Sequence, residues 1–76
     1  MEKVKVSLPD VEAVKDFTNI ILDYKGDFDL RQGHYAVDGK SLNGVLSMDL
    51  SQPMDFVIHY DGDENEIIKA VEKYII

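Results

Sequence analysis

The side chains of this sequence with the most evident capacity for chemistry are two histidines, His34 and His59, set among fifteen carboxylates. A histidine becomes a base, a phosphoryl carrier or a metal ligand only when a carboxylate, a helix end or further ligands are placed against it. No spacing in the sequence supplies such a partner, no arginine or helix start is evident beside either histidine, and both are expected at the surface. Asp61, Asp63, Asn65 and Glu72 stand at positions 1, 3, 5 and 12 of a calcium-loop pattern. However, Glu66 replaces the glycine of the sharp turn and the segment from Ile67 to Glu72 reads as helix, so no ion site is expected and Asp63 is read as a helix cap. Asp38-Gly39-Lys40-Ser41 has the last two letters of a phosphate loop without the spaced glycines that present amides to phosphate. With no cysteine there is no thiolate nucleophile, disulfide or Cys-ligated metal. No catalytic residue, metal or cofactor is assigned, and the chain is not expected to be an enzyme.

Ser41 is the most informative polar residue. It precedes Leu42, Val45 and Leu46, which have helical spacing, so its hydroxyl stands near the start of a short helix. There it would face backbone amides and a positive dipole end, surroundings that also stabilise an attached phosphate. The plainer reading is an N-cap, worth about 1 kcal/mol. Both readings remain open on the residues alone.

The elements that must carry these groups follow from periodicity. Lys3 to Leu8 alternate polar and apolar as a half-buried strand that Pro9 stops. Asp10 caps a helix whose stripe is Val11, Ala13, Val14, Phe17, Ile20 and Ile21, ending near Tyr24, with Gly26 suited to the exit. Phe28 with Leu30 and Tyr35 with Val37 flank Gln32-Gly33-His34 as a hairpin. After the short helix and Pro53, Phe56, Ile58 and Tyr60 alternate with Val57, His59 and Asp61 as a fourth strand. Asp63 and Glu66 have capping-box spacing ahead of a terminal helix carrying Ile67, Ile68, Ala70, Val71, Tyr74 and Ile75. The order βαββαβα predicts an α+β fold: an open-faced two-layer sandwich with a four-stranded, mainly antiparallel sheet and three helices on one face. Its expected core is Val4, Val6, Leu8, Val14, Phe17, Ile21, Phe28, Leu30, Phe56, Ile58, Ile68, Val71 and Ile75.

Seventy-six residues allow a single domain, 1–76, without linker or repeat. A chain of this size buries only about 60% of its unfolded surface, which leaves little room for an enclosed active-site pocket. A net charge of −7 disfavours nucleic acid and anionic membranes, and Lys3, Lys5 and Lys40 are too scattered for a basic stripe. The apolar runs are too short to cross a bilayer, and the first residues have no signal core. A cytoplasmic protein is expected.

The order of elements, together with Val37-Asp38-Gly39-Lys40-Ser41-Leu42-Asn43-Gly44-Val45-Leu46-Ser47-Met48, resembles the HPr family, the small phosphocarriers of the bacterial sugar phosphotransferase system. This stretch matches the family's second signature, and the resemblance covers nearly the whole chain. It implies that Ser41 is a candidate for regulatory phosphorylation by a dedicated kinase. It also implies that the short helix, through Leu42, Asn43 and Leu46, is a candidate docking surface for a protein partner: a kinase, a regulator or a transporter component. Asn43 replaces a usual methionine, and Asp49 and Pro53 replace usual glycines. The larger departure lies at the family's phosphoryl-transfer segment, G-L-H-A-R-P-A, where this sequence has Leu8-Pro9-Asp10-Val11-Glu12-Ala13. The histidine and its arginine are missing, and two acids stand where a phosphate would arrive. The expectation is therefore a divergent, non-catalytic binding or regulatory module of sugar-transport regulation. The alternatives are a carrier that uses His59 or His34, or a structural subunit of a larger assembly.

Overall fold

Strand alternation and helical stripes assemble as the pattern requires. The computed structural model describes residues 2–76, with the side chain of Glu2 outside the description. The elements are β1 (Glu2–Val6), α1 (Val11–Leu22), β2 (Asp27–Gln32), β3 (Tyr35–Asp38), α2 (Leu42–Leu46), β4 (Met54–His59) and α3 (Glu64–Ala70), followed by a 3₁₀ turn at Glu72–Tyr74. The strand order is β1-β4-β2-β3, with every pairing antiparallel. This is the α+β, four-stranded open sheet with three helices that the sequence predicts. Among the described residues, no helix is long and apolar enough to cross a membrane.

The core lies between the sheet and its helices. Phe17 of α1 meets Phe56 of β4 edge-on at 4.9 Å between ring centres, and Phe28 of β2 stacks on Phe56 at 5.9 Å. Edge-on and offset ring pairs add to the area they bury, so these three rings form the centre of the domain. The hairpin turn is the two-residue Gly33-His34: Gly33 has φ +62 and, among the described residues, no non-glycine residue has positive φ, as a type II′ turn requires of His34. Gly26, at φ +151, lies so close to β4 that a Cβ there would stand 2.8 Å from the His59 carbonyl.

Several expectations need correction. The first strand ends at Val6 rather than Leu8; Leu8 is fully buried, but from the connection to α1. Val4, Ile68 and Ile75 are half-buried against the core rather than members of it, and Met54, Val45, Met48 and Ile67 join it instead. The alternation of β4 sets Val57 on the same face as His59. It does lie on the open face, yet it is 2% exposed, because β4 is a central strand whose partners at that point are Lys3 and Asp29. The capping box at α3 does not form as spaced: the Asp63 carboxylate accepts from Asn65 N at 3.0 Å, and Glu66 N is bound by the Asp63 carbonyl. The terminal helix stops at Ala70, and Ile75 instead bridges Val6 in antiparallel sense.

Candidate functional site

Ser41 reaches its position through a chain of backbone contacts from β2. Gly39 N donates to the Phe28 carbonyl at 2.6 Å, Lys40 N to the Asp38 carboxylate at 2.9 Å, and Ser41 N to the Asp38 carbonyl at 3.0 Å. Extended at φ −91 and ψ 107, Ser41 caps α2, its Oγ accepting from Gly44 N at 3.1 Å. The residue is exposed. Neighbouring Lys40 does not offer its charge there: its Nζ donates to the Tyr24 carbonyl at 2.6 Å and lies 5.2 Å from the centre of the Phe28 ring. Lys40 therefore ties the approach to α2 onto the exit of α1. Sequence reasoning missed this role, since it depends on a contact sixteen residues away.

The docking candidates divide. Leu42, 38% exposed, and Asn43 point outward, whereas Leu46 is half-buried against the core. Val45 is the residue by which α2 enters the core, followed by Met48 just beyond the helix. At the far end the Ser47 hydroxyl donates to the Gly44 carbonyl at 2.6 Å and shares a 2.7 Å hydrogen bond with the Tyr35 hydroxyl. This contact fixes α2 over β3.

At the start of α1, Asp10 is the N-cap, its Oδ1 accepting from Ala13 N at 2.8 Å, with Glu12 in the same first turn. A carboxylate is thus already bound to an amide of this helix end, where the dipole favours negative charge. Neither histidine lies in this segment. His34 is exposed in the β2–β3 turn, and β4 separates β1 from β2.

His59 is on the open face as expected, but its surroundings are richer than the sequence suggested. Asp29 Oδ2 lies 4.0 Å from His59 Nε2 and 3.6 Å from an Arg31 nitrogen. Asp29 thus stands within reach of both His59 and Arg31, because the β2–β4 register pairs Asp29 with Val57, two residues before His59. Asp29 and His59 border an open depression of about 530 Å³, lined also by Asp27, Asp38, Ala36, Phe28 and Val37. Three carboxylates give it a negative character. Among the described residues, no group of three or more His, Asp or Glu is arranged to hold a metal.

A third polar cluster lies on the helix side. Asp16 of α1 accepts from the Tyr74 hydroxyl and pairs with Lys73 Nζ at 2.8 Å. Hydrogen bonds from Lys73 and then Tyr74 hold the Asp16 carboxyl below its ordinary value, and Asp16 in turn raises Lys73. Burial, followed by the bond to Asp16, raises Tyr74. Asp49, in the loop after α2, is held low by the Ser51 hydroxyl and amide that it accepts from.

No family model and no curated protein matches the chain. Among solved structures, the crystal structure of HPr-C-His from Thermoanaerobacter tengcongensis is similar at a TM-score of 0.78 and 20% sequence identity, over 96% of this chain and 89% of that one. At that identity the likeness is one of architecture, and it establishes that this chain has an HPr-like fold.

Proposed function

We propose that this chain is an HPr-like, phosphotransferase-related module that binds or regulates a protein partner, carries no phosphoryl group on histidine, and is itself controlled by phosphorylation of Ser41. The observation that supports the loss of carrier chemistry is the start of α1. There the Asp10 carboxylate occupies the Ala13 amide, and Leu8 to Ala13 contain no histidine or arginine. A phosphoryl group arriving there would meet two negative side chains. Ser41 is exposed, and its oxygen already faces the Gly44 amide, so an added phosphate would have that donor within reach of a short chain. Leu42 and Asn43 beside it are the exposed residues that a partner would read.

The test is direct. Incubation with enzyme I and phosphoenolpyruvate is expected to leave the protein unlabelled, and incubation with an HPr kinase and ATP to label it once per chain. Stoichiometric histidine phosphorylation would overturn the first part. Label that persists in Ser41→Ala would remove Ser41 from the second.

The Asp29–His59–Arg31 grouping favours one second reading, a carrier that uses His59. The aspartates around it oppose an incoming phosphoryl group, and an acid-labile phosphate that disappears in His59→Ala would establish this reading over the first.

A further inference from the structure

We infer that the segment Glu72–Ile76 is a releasable strap over the outer edge of β1, latched to α1 through Asp16. The strap begins where α3 stops: Val71, at φ −107 and ψ 14, leaves the helical conformation, a single 3₁₀ turn follows, and Ile75 is extended at φ −78 and ψ 135. Its backbone then acts as a short added strand. Ser7 N donates to the Tyr74 carbonyl at 2.8 Å, Ile76 N donates to the Lys5 carbonyl at 3.0 Å, and Val6 and Ile75 form the bridge between them. β1 is an edge strand, so these bonds cover groups that would otherwise face solvent as an unpaired sheet edge.

The cover is thin and its fastenings are of two kinds. Inside, the Tyr74 ring meets Phe17 edge-on at 6.0 Å. Outside, Asp16 holds both Tyr74, by its hydroxyl, and Lys73, by its ammonium. One carboxylate therefore fastens two consecutive strap residues to the middle of α1, while β1 contributes a single bridge rather than a ladder. Such a segment opens at a lower free energy than the four-stranded sheet beneath it. Opening uncovers the Lys5 carbonyl and the Ser7 amide, the pair of groups by which an extended chain would add to this edge. Ser7 lies in the connection to α1, so the strap also fixes the approach to the Asp10 end of that helix.

Amide hydrogen exchange on the intact protein tests the assignment residue by residue. In Asp16→Ala and in Tyr74→Phe, exchange at Ser7 and Ile76 is expected to quicken by on the order of tenfold, the scale of a hydrogen bond to a charged group. Exchange at Phe56 and Ile58 in the central strand should stay unchanged. Lys73→Met should quicken the same two amides by a smaller factor, because both members of that ion pair are substantially exposed. Tyr74→Phe keeps the ring on Phe17 and so separates the latch from the packing. Equal acceleration at Ser7, Ile76, Phe56 and Ile58 would show that Asp16 supports the whole fold rather than a strap. Unchanged exchange at Ser7 and Ile76 in both variants would show that the strap is not latched by Asp16. Either result overturns the inference.

Discussion

The starts of α1 and α2 solve the same problem with the same geometry and different chemistry. In each, the residue before the helix is extended and its side-chain oxygen accepts from the amide three residues on: Asp10 to Ala13 at 2.8 Å, Ser41 to Gly44 at 3.1 Å. The helices behind the caps are unlike. α1 runs twelve residues and buries Val14, Phe17, Thr18 and Ile21, whereas α2 runs five and buries Val45. The long helix thus carries a carboxylate side chain at its positive end and is anchored in the fold. The short one carries an exposed, neutral hydroxyl and enters the core through Val45. A charge that changes is tolerated best where little of the core depends on the element that bears it, and α2 meets that condition.

The anchors give the largest test of this contrast. Phe17 touches Phe56 and Tyr74, so Phe17→Ala should remove about 3–5 kcal/mol from the unfolding free energy measured by chemical denaturation. Val45→Ala removes two methyl groups from a buried site and should cost about 2 kcal/mol. If Val45→Ala proves as costly as Phe17→Ala, α2 is as much a pillar as α1 and the contrast fails. The caps come next. Asp10→Ala should cost about 1 kcal/mol and lower the global midpoint. Ser41→Ala should cost less than Asp10→Ala, since fraying a five-residue helix exposes little of the core. The reverse order would place the structural burden on α2.

What could be read from the sequence follows the range of the forces involved. The α1 stripe, the Asp10 and Ser41 caps and the Gly33-His34 turn are set within a few residues, and each was legible. Val57, Lys40 and His59 were not. Val57 is buried by neighbours from β1 and β2, Lys40 is spoken for by the Tyr24 carbonyl, and His59 gains Asp29 through strand register. The end of α3 was misread for a related reason: Tyr74 and Ile75 continue the apolar stripe, but the open edge of β1 draws the backbone out of the helix. Periodicity carried the topology and local spacing singled out Ser41, to which the resemblance to HPr proteins added an expected regulatory role. The resemblance could not supply the Asp16 latch, which the sequence shows only as an acid fifty-eight residues from its tyrosine.

The smallest expected effect distinguishes the two helices by pH. Asp16 is held below its ordinary value near 3.8, so its contribution is complete above the unfolded value and is lost as pH falls through the lower folded one. Lys73 and Tyr74 are raised from 10.5 and 10.0. The protonated ammonium and the neutral phenol are therefore the forms that the fold favours, and their contributions are complete below those values and are lost as pH rises through the folded ones. The strap should stay closed between about pH 5 and pH 9 and loosen beyond either limit. The cap of α2 has no titrating group, because a serine hydroxyl is too weak an acid to lose its proton in this range. With exchange rates corrected for their intrinsic pH dependence, protection at Ser7 should fall at both extremes, while protection at Gly44 relative to Phe56 stays level. A parallel fall at Gly44 would mean that the charges on α1 reach α2 through the shared core, and the two helices would then respond as one unit.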